Sequence, residues 1–512
     1  MRSGGARLVA AGILLSRLFG LVRQRAIAQV LGAGPVADAL AAAFRIPNLL
    51  QNLFGEGALS ASFIPVYAKL IAEGRRDEAG RVAGAVFGLL ASFVAFVTLL
   101  GVLFTPALVG VIAPGLSGEM RELTIVLVRI IFPGVAILVL SAWCLGVLNS
   151  HRRFFLSYAS PVLWNAAIVA VLVWHALRPG ALLEEIAVAV AMASVVGCVL
   201  QLAVQVPAVL RLEPQLRLRA GEAAAQVQTV LRNFWPAVSA RGVVQLSAWV
   251  DTMIASLLGA GALATLAYAQ TISLLPVSLF GMSIAASELP TMSEATGDEA
   301  AVSAALRNRL ASGARRMAYF VIPSAVAFVV LGGVLASALF EGGAFSRGDA
   351  AWVWAALAGS GVGLLASTRG RLYSSALFAL HDTATPARLA AGRVLVGGVL
   401  GVLAATQLPR MLGIAPQWGV GVLTAVSGLA AWGEFLLLRR SVALRVGAVP
   451  ARRRETAGLW GAAIVAAALV TTLALLLPDW HPVLRGAVIC GGFGALYLAL
   501  ARVTGLDDAR RA

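Results

Sequence analysis

Residues 183–207 read LEEIAVAVAMASVVGCVLQLAVQVP, and from Ile186 to Leu210 no charged side chain interrupts the run. A helix needs about 20 such residues to cross the ~30 Å hydrocarbon core of a bilayer. Glu184 and Glu185 open the run and Arg211 follows it, so charge returns where water would. Thirteen further apolar segments lie at 8–31, 37–67, 82–112, 121–149, 157–177, 229–258, 262–292, 309–340, 350–380, 386–407, 416–438, 456–477 and 483–504. Gly32-Ala33-Gly34-Pro35, Ala113-Pro114-Gly115, Arg178-Pro179-Gly180 and Glu341-Gly342-Gly343 punctuate them as turns. The expected fold is an all-α polytopic membrane protein of about fourteen transmembrane helices.

Composition agrees with that expectation. The chain has 512 residues, of which 60% are hydrophobic and 12% charged, with a mean hydropathy of +0.88. Soluble domains carry about a quarter charged residues, and a single soluble core stops growing near ~250–300 residues. The 53 glycines suit helices packed closely in lipid. A formal charge of +16 raises the question of nucleic acid, but the basic residues sit in short loops rather than on one soluble face, so no nucleic-acid partner is expected. Cys144, Cys198 and Cys490 lie in apolar stretches without metal-ligand spacing and read as small buried hydrophobes. His151, His175, His381 and His481 form no cluster, so neither a metal nor a cofactor is expected. No signal peptide is expected, because the first apolar run carries Arg17, Arg23 and Arg25 and belongs to the fold.

Cytoplasmic loops of membrane proteins are enriched in Lys and Arg. With the N-terminus inside and the segments alternating, inward tails and loops hold 26 basic residues, among them Arg75-Arg76, Arg152-Arg153 and Arg452-Arg453-Arg454. Outward loops hold five: Arg121, Arg178, Arg347, Arg410 and Arg485. A miscount by one segment would scramble this asymmetry. Both termini are therefore expected in the cytoplasm, with the chain in the bacterial inner membrane.

Two distant stretches read alike. Leu31-Gly32-Ala33-Gly34 precedes Pro47, Leu53-Phe54-Gly55 and Pro65, while Leu258-Gly259-Ala260-Gly261 precedes Pro276, Leu279-Phe280-Gly281 and Pro290. The offset of six segments preserves orientation, as parallel repeats require. The expected organisation is an N-terminal lobe over 1–222, a C-terminal lobe over 223–441 and two additional helices within 442–512. Two pseudo-symmetric six-helix lobes around a central cavity would suit a rocking transporter.

Assigning 26 of the 40 basic residues to inward tails, loops and segment ends and five to outward ones leaves nine arginines inside apolar segments: Arg17, Arg23, Arg25, Arg45, Arg129, Arg241, Arg369, Arg371 and Arg393. Each costs at least ~2.5–3.5 kcal/mol at mid-helix, and snorkelling is a poor account of Arg23 and Arg241, which lie near the middle of theirs. Arginines outnumbering the acids Asp38, Glu56, Asp251, Glu288 and Glu434 predict a polyanionic ligand, because guanidinium forks match phosphate oxygens. The three arginines of the first segment share no single face, so that helix either bends near Gly20 or is ringed by protein and water. No Gly-x-x-x-x-Gly-Lys-Ser/Thr motor pattern is present, and the single lysine is Lys69. Asp251 and Arg393 are the candidate coupling or gating residues: Asp251 as a cation or proton carrier or, as expected here, as the partner of a fixed arginine, either Arg241 or Arg393, since the eleventh segment has no Asp or Asn to complete a cation site.

Residues 16–70 carry a resemblance. Ser16-Arg17-Leu18-Phe19-Gly20-Leu21-Val22-Arg23, Asp38-Ala39, Phe44-Arg45-Ile46-Pro47-Asn48-Leu49-Leu50 and Phe54-Gly55-Glu56-Gly57-Ala58-Leu59-Ser60 resemble the signature of the MurJ (MviN) lipid II flippases. Further matches, including Tyr268-Ala269 and Asp382-Thr383-Ala384-Thr385-Pro386, spread it over essentially the whole chain. The resemblance implies a member of the multidrug/oligosaccharidyl-lipid/polysaccharide exporter superfamily, not an enzyme. Its implied substrate is an undecaprenyl-diphosphate-linked peptidoglycan precursor, carried from the inner to the outer leaflet by alternating access. By motif, Arg17, Arg23, Asp38, Arg45, Asn48 and Glu56 carry over as substrate-binding residues, and Arg241 joins them by its depth. Two positions depart: Gln51 and Thr271 stand where the family places arginine, and Arg241, Arg369 and Arg371 are the candidates to compensate. Alternatives are a flippase for another polyprenyl-diphosphate-linked glycan and a non-transporting scaffold for cell-wall synthesis proteins. A monomer in contact with membrane lipids is expected.

Overall fold

The structure is a computed structural model that describes residues 3–178, 180–214, 224–285, 288, 292, 299–450, 452–476 and 480–506. Contacts divide the chain into two compact units, Met1–Trp249 and Val250–Ala512. Among the described residues the chain is helical, and the one β-type pairing is an isolated bridge between Gly342 and Phe345.

The first unit is built from α1 (Ser3–Leu31), α2 (Pro35–Phe54), α3 (Glu56–Ala72), α4 (Arg76–Leu103), α5 (Thr105–Ile112), α6 (Gly118–Ser150), α7 (Phe154–Ala159), α8 (Pro161–Leu177), α9 (Leu183–Leu212) and most of α10 (Ala224–Ser256). The second contains α11 (Ala262–Pro276), α12 (Glu299–Val330), α13 (Gly332–Phe340), α14 (Arg347–Ala379), α15 (Ala384–Leu412), α16 (Gly419–Val446), α17 (Arg453–Leu476) and α18 (Pro482–Val503). Among the described residues, each of the fourteen apolar segments is represented by one or more of these helices. Among the described residues, eleven helical stretches are long and apolar enough to cross a membrane. Segments 8–31, 37–67 and 229–258 are not among the eleven. They carry Arg17, Arg23 and Arg25, then Asp38, Arg45 and Glu56, then Arg241 and Asp251, and Gly55 divides 37–67 into helices of 20 and 17 residues.

Local chemistry sets the helix ends. Ser346 and Asp349 form a reciprocal cap on α14, with Ser346 N–H donating to Asp349 Oδ2 at 2.8 Å and Asp349 N–H to Ser346 Oγ at 3.2 Å. At the start of α15 the Asp382 carboxylate accepts from Thr385 N–H at 2.9 Å and pairs with Arg445. Thr385 first and Arg445 after it hold the Asp382 carboxyl down to about 2. The motif Asp382-Thr383-Ala384-Thr385-Pro386 is thus a helix cap tied to the end of α16.

The internal repeat leaves a structural mark in each unit. In the first, Leu53-Phe54-Gly55 ends α2, and Gly55 at φ −86° and ψ −128° breaks the 37–67 segment into two helices. In the second, Leu279-Phe280-Gly281 lies in a π-helical turn, Val277–Met282. The leading glycines of the repeat, Gly32 and Gly259, both take positive φ, at 65° and 90°, where a side chain would be strained.

Helix pairs close on small residues, as expected where lipid is the solvent. A Cβ on Gly363 of α14 would lie 2.3 Å from Gly428 Cα of α16, so only glycine permits that approach. In the first unit a buried amide–hydroxyl network joins α6, α8 and α9. Ser141 Oγ donates to Gln205 Oε1 at 2.6 Å, Gln201 Nε2 to Ser141 Oγ at 2.8 Å, and Gln205 Nε2 to Ser160 Oγ, which precedes α8, at 2.6 Å. Cys144 and Cys198 are buried and free, as their apolar setting indicated.

Candidate functional site

α1 runs unbroken through Gly20 and packs on α7 and α8. Its three arginines meet different surroundings. Arg17 is exposed and makes no hydrogen bond or ion pair among the described residues. Arg25 faces Gln29, whose amide oxygen accepts from Nη2 at 3.1 Å and Nε at 3.3 Å when turned toward it.

Arg23 is the distinctive one. Its guanidinium carbon lies 4.6 Å from the ring centroid of Trp164, a cation–π contact. Its Nε is buried without a hydrogen-bond partner among the described residues. The platform beneath it is fixed from three sides. Trp164 Nε1 donates to Ser194 Oγ of α9 at 3.1 Å, Phe44 of α2 meets the ring edge-on at 6.1 Å, and Gly197 lets α9 come close. A Cβ at Gly197 would sit 2.8 Å from Trp164 Cα. A guanidinium held against an aromatic face, with donor capacity unspent among the described residues, has the chemistry to receive an anion.

The other motif residues divide between holding and facing outward. Asp38 is 2% exposed, inside the first turn of α2. Arg45, one residue after Phe44, donates from Nη2 to the Ala248 carbonyl of α10 at 3.0 Å, so this arginine ties α2 to α10. Asn48 is exposed. The side chains of Glu56 and Arg241 lie outside the described residues. At the two departures from the resemblance, Gln51 is half-buried and Thr271 Oγ1 donates to its own helix at Ala267 O, 2.9 Å away.

In the second unit one of the two partners expected for Asp251 is paired elsewhere: Arg393 Nη1 lies 3.1 Å from Glu434 Oε2, while the side chain of the other, Arg241, lies outside the described residues. α15 and α16 are antiparallel neighbours, which brings these two charges to the same depth. Asp251 instead accepts from Ser427 Oγ of α16 at 3.2 Å. Glu288 is 3% exposed and faces Arg316 at 3.6 Å and Arg309 at 3.9 Å.

Sequence reasoning missed the Trp164–Ser194 support and a buried polar chain at the helix ends. Tyr67 Oη donates to Glu213 Oε2 at 2.7 Å and lies 2.9 Å from His151 Nε2. Since the hydroxyl hydrogen goes to Glu213, the imidazole must donate from Nε2. Burial, with Arg76 adding and Glu213 opposing, holds His151 below its ordinary value. A Trp and a lone polar residue inside apolar runs carry no sequence signal that separates them from core.

The family model described as "Lipid II flippase MurJ" matches residues 27–484. The chain belongs to the MurJ lipid II flippase family. A "Lipid II flippase MurJ" of Burkholderia cenocepacia is 33% identical, over 97% of this chain and 96% of that protein. A "Probable lipid II flippase MurJ" of Rhizobium meliloti is 31% identical, over 96% and 92%. Among solved structures, "Lipid II flippase MurJ, inward closed conformation" superposes with a TM-score of 0.78 at 20% identity, covering 97% of this chain and 98% of that one. An inward-facing multidrug resistance MATE family transporter of the MOP superfamily gives 0.67 at 17% identity, covering 84% and 95%. The fold is shared with these two structures, and the chain is a multi-pass membrane protein of the MurJ family.

Proposed function

We propose that this chain moves an undecaprenyl-diphosphate-linked peptidoglycan precursor of the lipid II class from the inner to the outer leaflet of the bacterial inner membrane by alternating access. The observation that carries the reading is Arg23, a guanidinium stacked on Trp164 with its Nε unpaired. A diphosphate supplies the oxygens such a fork is built to receive. Arg17 of α1 and Asn48 of α2 are exposed and serve as further ligand contacts, Arg45 ties α2 to α10, and Asp38, buried in the first turn of α2, stays assigned to the site by motif. Glu56 and Arg241 remain assigned to substrate by motif and depth.

In this reading all fourteen apolar segments cross, both termini lie in the cytoplasm, and the lobes follow the 1–222, 223–441 and 442–512 division. The protein acts as a monomer among membrane lipids and meets cell-wall synthesis proteins through its basic loops. Asp251, held by Ser427, is the coupling carboxylate. One feature favours a second reading, a related polyprenyl-diphosphate-linked glycan: Gln51 and Thr271 carry no charge where the resemblance places arginine. Complementation of a bacterium depleted of its lipid II flippase decides between the two. Rescue of growth supports lipid II, and failure at matched membrane level favours the other glycan.

A further inference from the structure

The second unit contains a cavity of about 380 Å³ that the transport reading does not use. Five arginines line it: Arg315 of α12, Arg369 of α14, Arg439 of α16, and Arg452 and Arg453 at the start of α17. One carboxylate serves them. Glu455 takes Arg315 Nε at 3.0 Å and Arg452 Nη1 at 2.6 Å. Arg369, Arg439 and Arg453 have no carboxylate partner among the described residues, and Arg369 Nε is buried without a hydrogen bond. Three uncompensated guanidinium groups around one cavity repel one another unless an anion sits among them.

The rest of the wall fits a phosphate. Arg453 and Thr456 of α17 line the cavity, and the first backbone bond of that helix is Thr456 N–H to Arg452 O at 3.1 Å, so the N–H groups before Thr456 have no intrahelical acceptors. Trp432 and Trp460 line it as well, and Trp432 is pinned by its Nε1 donating to Val362 O at 2.8 Å. Tryptophan beside arginine is the composition of the headgroup level of a membrane, and basic pockets between transmembrane helices take lipid phosphates. Arg369, a candidate in the sequence to replace a missing phosphate contact, has its place here.

We infer that this cavity is a phosphate-binding site, separate from the transport site around Arg23, that takes the phosphate ester of an anionic phospholipid headgroup or a free phosphate of the same chemistry. Occupancy would tie α17 to α12, α14 and α16 by neutralising the three unpaired arginines.

The test uses the full chain purified in neutral detergent, with Tm followed during separate titrations of phosphatidylglycerol, phosphatidylcholine and inorganic phosphate. Phosphatidylglycerol should raise Tm saturably and phosphatidylcholine should not. In the double variant Arg439→Gln/Arg453→Gln the apparent Kd should rise at least about tenfold. Exposed Arg440→Gln, which removes a charge next door to Arg439, should leave it unchanged. Without ligand the double variant should melt no lower than wild type, because it removes repulsion; a purely structural role would lower Tm. Protection by inorganic phosphate to the same extent, with the same dependence on Arg439 and Arg453, places the source in solution, and protection by the lipid alone places it in the membrane. Equal effects of the two lipids without any effect of phosphate, or a Kd indifferent to the double variant, would overturn the inference.

Discussion

Replacing Trp164 by leucine keeps an apolar side chain between α1 and α9 and removes the aromatic face under Arg23. A cation–π contact is worth about 2 kcal/mol when desolvated, and each ~1.4 kcal/mol is a factor of ten. Loss of the platform should therefore cost about 30-fold in transport at limiting substrate, through an arginine free to leave its binding orientation. The same change strips Ser194 Oγ of its donor at 3.1 Å, which should cost only about 1 kcal/mol of stability. Trp164→Phe separates the two effects: it retains a ring face and loses the donor, so it should keep most of the transport. Vesicles reconstituted at equal protein density, with a fluorescent lipid-linked diphosphate in the inner leaflet and a quencher outside, read the rate directly. Equal rates for wild type and Trp164→Leu, or equal losses for the leucine and phenylalanine variants, would refute the reasoning.

Other expectations follow from the same geometry. Arg23→Ala should abolish transport at an unchanged membrane level, and Arg23→Lys should restore it only in part, since a point charge replaces a planar fork; growth of a flippase-depleted strain reads both. Gly363→Leu should force α14 from α16, where a Cβ already meets Gly428 Cα at 2.3 Å, and lower stability by at least about 1–3 kcal/mol, measured as Tm in detergent. His151 titrates below its ordinary 6.5 in the folded protein, so the unfolded chain binds the proton first. Stability at this helix junction is then fully present above about pH 6.5 and declines as pH falls toward the depressed value. His151→Gln, which keeps a donor for Tyr67, should flatten the Tm-versus-pH profile between pH 7.5 and 5.5; a profile identical to wild type would count against the assignment. Asp251→Asn should slow transport more than Ser427→Ala, because the first removes the charge and the second only one of its hydrogen bonds, read in the same vesicle assay.

What could be read from the chain alone was whatever leaves a periodic or costly mark. Apolar runs such as 186–210 marked the helices. The two Leu-Phe-Gly stretches adopt different local structures, a helix break at Gly55 and a π turn around Gly281. Arg23 stood out because charge in mid-segment needs a reason. Its platform did not, since Trp164 in PVLWNAAIVA looks like any core aromatic until α9 is placed against it. The partner of Arg393 was equally hidden. Depth along a helix can be counted, but which neighbouring helix lies alongside cannot, and the bridge went to Glu434 on the adjoining α16. The cluster Tyr67–His151–Glu213 joins residues 146 positions apart, and no spacing in one segment announces it.

The central claim is that Arg23 receives a lipid-linked diphosphate, and direct binding tests it without assuming a coupling ion or a transport cycle. Purified wild-type protein and Arg23→Ala should be titrated with undecaprenyl diphosphate and with undecaprenol, which shares the chain but lacks the phosphates. The account predicts tight, saturable binding of the diphosphate to wild type, loss of about tenfold or more in affinity in Arg23→Ala, and weak binding of undecaprenol that the variant does not change. Equal affinity of wild type for the diphosphate and the alcohol, or diphosphate binding untouched by Arg23→Ala, would contradict it.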